Sequence, residues 1–392
     1  MIKFDPLKAK RAGQWFTQKG PEDFNYFVPA PLPPNPPINY SLLHADIERA
    51  SGALGKLEGL AEILPDVDLF MYGYIRKEAV LSSQIEGTQS TLSDLLLFEN
   101  ELVPGVPESD TRQVSNYVSA LNYGLDRLET LPLGSRLLRE IHEKLLEGRR
   151  GSEWTPGEFK TRQNWIGGGR PGTAVYVPPP PDVAMECLGA MERFIHNQPV
   201  VTPPLIKAGL VHAQFETIHP FPDGNGRIGR LLITFILCAE GVITRPLLYL
   251  SLYFKQRKAE YYAALQKIRT EGDWENWLKF YLKGVAEVAE QAGSTALKLR
   301  KLFDGHREKI KTLGKKSATA MQVYDMLTKR PLLSPIEAKT KLKISYPALM
   351  RALQNLQKLG IVREKTGKKT YQLYVYEDYL KILSEGTDLK GH

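Results

Sequence analysis

Cysteine is almost absent from the chain, with only Cys187 and Cys238 among 392 residues. Both fall inside apolar helical patterns, so neither a disulfide framework nor a zinc site is expected, and a reducing cytoplasm fits. Long apolar runs are also lacking. The longest, near Leu231 to Ala239, falls far short of the ~20 residues a membrane helix needs, and the N-terminus has no signal-peptide core. Neither secretion nor a membrane partner is expected. No repeat of solenoid period is present. Acidic residues are scarce in one place: residues 298–370 hold 19 Lys and Arg against 5 Asp and Glu, a net of +14. The whole chain carries only +8, leaving about −6 elsewhere. The length suffices for two or three domains with proper cores.

What the chain does have is concentrated in twelve residues, H-P-F-P-D-G-N-G-R-I-G-R from His219 to Arg230. Gly224 and Gly226 tolerate backbone angles that other residues resist. Around Asn225 they can turn successive N–H groups toward one point, a nest for phosphate oxygens. The apolar stretch Ile228 to Ala239, closed by Gly241, reads as a helix whose positive end faces the same anion. Arg227 and Arg230, three apart, suit bidentate grip on phosphates. Asp223 offers a hard oxygen of the kind Mg²⁺ takes when phosphates and water complete its shell. His219, ahead of Pro220 and Pro222, is placed to accept the proton of an attacking hydroxyl. A transition-metal site on His219 and Asp223 would need further His or Cys ligands, which are missing nearby.

This run resembles the signature of the Fic-domain proteins, H-P-F-x-D/E-G-N-G-R-x-x-R, and matches it throughout. The resemblance implies transfer of AMP from ATP to a Ser, Thr or Tyr hydroxyl of a protein, this protein itself included. It assigns His219 as the base and Asp223 as the ligand of Mg²⁺, with Mn²⁺ the alternative ion. Gly224, Asn225 and Gly226 become the anion nest, with Arg227 the β-phosphate contact and Arg230 the γ-phosphate contact. Relatives that transfer phosphate or phosphocholine leave the transferred group open. A nucleic-acid-binding regulator with the core as nucleotide sensor is the alternative of a different class.

Ser82-Ser83-Gln84-Ile85-Glu86-Gly87 resembles the family's inhibitory motif, S/T-x-x-x-E-G/N. Residues Asp66 to Glu86 read as a helix ended by Gly87, with Ser82 and Glu86 on one face. A carboxylate so carried would pair with Arg230 in place of the γ-phosphate. Glu86 is therefore both an inhibitory and an ATP-site residue. The segment 159–181 reads as a hairpin, with runs Gln163 to Ile166 and Ala174 to Val177 flanking a Gly/Pro turn. In the resembling family this is the flap, and an exposed hairpin edge can pair with an extended target segment by strand addition.

Elsewhere the pattern is helical: Leu137 to Leu146, Val183 to Ile195 and Leu205 to Ile218 carry three-to-four apolar spacing. Residues Ser251 to Arg269 read as one helix, and Gln256, Tyr261 and Tyr262 resemble the family's adenine-side wall, although core packing explains the tyrosines equally well. Three helices, Ala318 to Thr328, Ser334 to Leu342 and Tyr346 to Lys358, then a strand-like Val362-Arg363, a turn at Lys365 to Lys369 and Tyr371 to Val375 follow the order of a winged helix. Pro29 to Pro37 reads as an extended connection. The expected fold is mainly α: an N-terminal helical inhibitory region over 1–110, a Fic helical core with β-hairpin flap over 111–300, and a C-terminal winged-helix domain over 301–392. Weak DNA binding through 316–392 and a homodimer are the further partners expected.

Overall fold

The computed structural model describes residues 11–63, 67–99, 108–148, 155–367 and 372–387. Helices dominate. Two compact units divide the chain, one of Met1–Gly55 with Asn116–Ala289 and the other of Lys56–Ser115 with Glu290–His392.

In the first unit, helices α6 (Pro181–Ile195), α7 (Pro204–Ile218) and α8 (Asn225–Ala239) form the centre, and α7 and α8 are the most closely packed pair. Every residue of α7 from Leu205 to Ile218 is buried. A helix apolar on all sides belongs in a core rather than on a surface. Its polar members are hydrogen-bonded: Gln214 Nε2 donates to the Ala30 carbonyl, and Lys207 Nζ to the Ile195 carbonyl at 3.1 Å, beside the Glu240 carboxylate. Gly209 lets Tyr281 and Leu278 close in, and Trp277 Nε1 donates to the Gly209 carbonyl at 2.9 Å. Helix α5 (Ser135–Leu145) buries Leu137, Leu138, Ile141 and Leu145 on one face, as the spacing predicts.

The expected Ser251 to Arg269 helix is two, α9 (Ser251–Gln256) and α10 (Lys258–Glu271), broken at Arg257, whose φ of −121° and ψ of 39° leave the helical region. An antiparallel hairpin that sequence reading missed, β1 (Gly13–Gln18) and β2 (Phe24–Pro29), lies in this unit and buries Phe27 and Ala12 against Tyr176.

The second unit holds α2 (Val67–Ile85), whose end at Gly87 (φ 101°) is where the glycine predicted it. It also holds α12 (Ser317–Lys329), α13 (Pro335–Leu342) and α14 (Tyr346–Lys358), the three helices expected, and a three-stranded antiparallel sheet of β3 (Leu332–Leu333), β4 (Arg363–Glu364) and β5 (Tyr374–Val375) in the order β3-β5-β4. Ser345 caps α14 by accepting from Ala348 N, and Pro335 and Pro347 sit in the first turns. Two elements are additional to the order read from the sequence: β3 (Leu332–Leu333), too short for alternation, and α15 (Glu377–Ser384). Lys368 and Lys369 of the expected wing lie outside the described residues. Residues Trp274–Lys311 form one helix, α11.

The two units differ from a division at 110 and 300. Helix α2 packs on α12 and α15, and the Leu383 side chain occupies the space beside Gly73. Tyr376 ties this unit's core together, hydrogen-bonding His306 at 2.7 Å and Tyr324 at 3.1 Å.

Candidate active site

The loop from His219 to Gly224 joins α7 to α8, and its geometry follows from two residues in left-handed conformation. His219 ends α7 with φ 49° and ψ 59°, its N–H donating to the Phe215 carbonyl, and Gly224 starts α8 with φ 79° and ψ 2°. Glycine takes this conformation readily. For a histidine it costs on the order of 1–3 kcal/mol, which the surroundings must hold in place.

Asn225 buries its side chain in the loop, accepting from Phe221 N at 2.9 Å and donating to Phe221 O at 2.8 Å. The reciprocal pair closes the loop, so Asn225 serves the nest through shape and backbone rather than by its amide. Helix α8 begins at Asn225, three residues earlier than the apolar pattern suggested. No side chain caps it, and its first internal bond runs from Ile228 N to Gly224 O at 3.0 Å. An uncapped N-terminus of this kind directs N–H groups and positive dipole toward an anion.

Arg227 and Arg230, each 4 % exposed, are buried in the first turns of that helix. Arg227 Nη2 donates to Asp223 Oδ2 at 3.0 Å, and the Asp223 side chain retains 39 % exposure. Gly229 between them has no room for a methyl group, because Glu216 and His212 occupy the space. His212 Nδ1 donates to the Gly229 carbonyl at 2.7 Å, so Nε2 accepts from the Tyr261 hydroxyl at 2.9 Å. Burial holds this imidazole down to about 3. His142 acts likewise on the loop. Its Nδ1 accepts from Gly157 N, so Nε2 donates to the Asp223 carbonyl at 3.0 Å, and its ring stacks on Phe221 at 3.9 Å.

His219 is half-buried, with Nδ1 fully enclosed. Burial, and next the cations Lys160 and Arg269, press its imidazole down to about 3, against a weak upward pull from the Glu216 carbonyl and Asp223. At neutral pH the ring is uncharged, the form in which an imidazole accepts a proton. Lys160 is itself pushed down to about 7 by burial.

The flap segment departs from a regular hairpin. One bridge, Ile166 to Tyr176, pairs the two runs, with a 3₁₀ turn at Pro171–Thr173. Pro178 to Pro181 have no N–H for a ladder, and the Gln163 and Asn164 side chains bond the backbone instead. Strand β2 meets the same segment, Phe27 N donating to the Val177 carbonyl at 3.0 Å. A cleft of about 550 Å³ opens here, lined by Thr155, the run from Lys160 to Trp165, and Pro222.

The adenine-side residues expected downstream fare differently. Tyr261 is 1 % exposed, packed in the core on Phe254, His212 and Trp277, with its hydroxyl on His212. Tyr262 is 43 % exposed and Gln256 lies on the surface at the end of α9. Glu86 and the buried Ser82 belong to the second unit, Ser82 on α2 and Glu86 immediately after it. Among the described residues no cluster of three or more His, Cys, Asp or Glu is arranged to hold a metal, and no helix is long and apolar enough to cross a membrane. Sequence reading missed His142, His212, Tyr176 and Arg269 as site residues; a histidine on the apolar face of α5 was the one visible hint.

A left-handed histidine opening the loop, an uncapped helix behind it and two buried arginines in that helix's first turns mark the centre of a mainly helical protein. Comparison gives the family. The Fic/DOC family N-terminal model matches residues 44–126 and the Fic/DOC family model residues 132–237. The chain is a member of the Fic/DOC family. It is 29 % identical over 199 residues to a probable protein adenylyltransferase of Aquifex aeolicus, covering 49 % of this chain and 55 % of that protein. It is 30 % identical over 204 residues to protein adenylyltransferase Fic of Drosophila grimshawi, covering 50 % and 38 %. The chain thus spans about half or less of these relatives' lengths. Among solved structures, a Fic family protein from Desulfovibrio desulfuricans aligns over 88 % of this chain and 97 % of its own, with a TM-score of 0.52 at 20 % identity. Fic-1 of C. elegans aligns over 67 % and 75 %, at 0.51 and 23 %. These two share the fold.

Proposed function

We propose that the protein transfers AMP from ATP to a hydroxyl of a protein Ser, Thr or Tyr. The observation that carries this reading is the neutral, loop-held His219 one short loop away from the uncapped start of α8, with Arg227 and Arg230 in its first turns. The relatives' names as adenylyltransferases support AMP as the group. In the reaction the target oxygen attacks the α-phosphorus while His219 takes its proton. The bond to the bridging oxygen between α- and β-phosphates breaks, and pyrophosphate leaves with the negative charge. The backbone of Gly224, Asn225 and Gly226 cradles phosphate oxygens, Arg227 holds the β-phosphate and Arg230 the γ-phosphate. One partly exposed carboxylate beside a phosphate cradle is a donor set that fits Mg²⁺. Asp223 would hold the ion, which neutralises charge on the leaving pyrophosphate.

Autoinhibition by Glu86 is part of the proposal and rests on the motif from Ser82 to Gly87 and on the seat of Glu86 at the end of α2. Its carboxylate takes the place of the γ-phosphate at Arg230. The test is incubation of the Glu86→Gly chain with α-labelled or γ-labelled ATP and Mg²⁺, followed by mass spectrometry of labelled protein. Retention of the α label alone supports AMP transfer. Retention of the γ label alone reassigns the protein as a kinase, and no label from either sinks the reading.

A further inference from the structure

We infer that Asn164 is a positioning residue for His219, the centre of a splint by which the flap segment fixes the backbone that carries the base. The inference deepens the proposed function and rests on it only for the choice of assay. Five consecutive carbonyls, from Thr217 to Phe221, each receive a hydrogen bond from this one segment. The Tyr176 hydroxyl donates to Thr217 O at 2.6 Å, and Lys160 Nζ to Ile218 O at 3.4 Å. Asn164 Nδ2 donates to His219 O at 3.1 Å and to Phe221 O at 2.9 Å, while the backbone N–H of Lys160 donates to Pro220 O at 2.8 Å.

Three features make Asn164 the keystone. Its single amide nitrogen spans the carbonyls on both sides of Pro220, the residue after the left-handed His219, so it restrains the ψ and φ angles that aim the imidazole. Its own Oδ1 accepts from Lys160 Nζ at 2.8 Å, which fixes the amide orientation: the nitrogen must face the loop. Two of the carbonyls that its neighbours satisfy, Thr217 O and Ile218 O, lie in the last turn of α7, where carbonyls lack a partner within the helix and attract cations and donors, and the two that Asn164 bonds lie in the loop that follows. The splint and the cleft share residues, for Lys160, Asn164 and Trp165 also line it. A target segment entering the cleft therefore meets the side chains that hold the base, and docking and base alignment become one mechanical event.

The role differs from that of a catalytic residue, because Asn164 touches the loop and Lys160 rather than the reacting atoms. A shift of about 1 Å in a base costs on the order of 10²-fold in rate. The test uses the full chain carrying Asn164→Asp, which keeps shape and packing but puts acceptors against carbonyls, and Asn164→Ala as second variant. With selectively labelled histidine, the His219 imidazole resonance is identified as the one missing in His219→Ala. The expected result at fixed neutral pH is a displaced or broadened His219 resonance with those of His212 and His306 unmoved. AMP transfer should fall about 10–100-fold in kcat while ATP affinity changes less than about twofold. A His219 resonance coincident with wild type in the folded Asp variant overturns the inference. So does equal loss of ATP affinity, which would place Asn164 in the nucleotide site. Absence of AMP transfer in the parent chain would defeat the proposed function and leave the resonance test standing.

Discussion

His219 and His212 share a depressed imidazole, yet the consequences differ. For His219 the uncharged ring is the proposed base. We expect His219→Ala to reduce AMP transfer by roughly 10²–10⁴ with ATP binding retained, since phosphate contacts come from other groups. Calorimetric ATP binding beside a transfer assay checks this, and a normal rate in the variant removes His219 from the mechanism. His212 never meets solvent, and its effect is on stability. Its folded value near 3 lies below the ordinary 6.5, so the unfolded chain takes up a proton that the folded chain refuses. This stabilisation is present above pH 6.5 and drains away as pH falls toward 3, with a slope near 1.4 kcal/mol per pH unit for one such group. Urea midpoints at about pH 7.5 and about pH 5 should therefore differ more for the parent than for His212→Asn, whatever the variant's absolute stability. Parallel pH curves would mean that the ring does not hold its neutral form.

The helix α2 and the loop before α8 are the elements on which control is proposed to turn. If Glu86 and the γ-phosphate compete for Arg230, then Glu86→Gly raises transfer, and Arg230→Ala lowers it even in that background. Initial rates across ATP concentration decide it: identical curves for wild type and Glu86→Gly reject the competition. Both elements were legible in the sequence because their meaning is local. The twelve residues from His219 to Arg230 are contiguous, and Gly87 stops a helix by its own backbone angle. The splint was not legible, because Asn164 reaches carbonyls 55 and 57 residues away and no spacing rule links them. Tyr261 was ambiguous for the complementary reason: an aromatic at helical spacing looks alike whether it faces a nucleotide or packs, as here, on Trp277 and His212. The flap fell between these cases. Its Gly/Pro turn is present, but amide side chains and prolines took the bonds that a ladder would have used.

At the scale of the whole chain, residues 56–115 and 290–392 form one unit, so the proposed inhibitory helix and the basic C-terminal segment share a core. Arg351, Lys339 and Lys343 are exposed there, Arg351 on the face of α14 opposite buried Leu349, Leu353 and Leu356. Weak duplex DNA binding by the full chain, if these side chains serve it, must fall steeply between low and moderate salt; no binding at low salt dismisses that role. The shared core has a sharper consequence. Gln84, inside the inhibitory motif and buried, donates from one amide nitrogen to Ser90 O at 2.9 Å and to Thr387 O at 3.2 Å. Each such bond contributes on the order of 1 kcal/mol, and its loss leaves a buried carbonyl unsatisfied. The last turn of α2 is thereby fastened to the segment that follows α15. Gln84→Leu keeps bulk and removes both bonds, so the end of α2 should loosen without unfolding the unit. AMP transfer is expected to rise part of the way toward the Glu86→Gly rate, and amide hydrogen exchange at residues 83–87 to quicken. Faster exchange with unchanged transfer would show that the C-terminal segment anchors α2 but takes no part in holding the enzyme off.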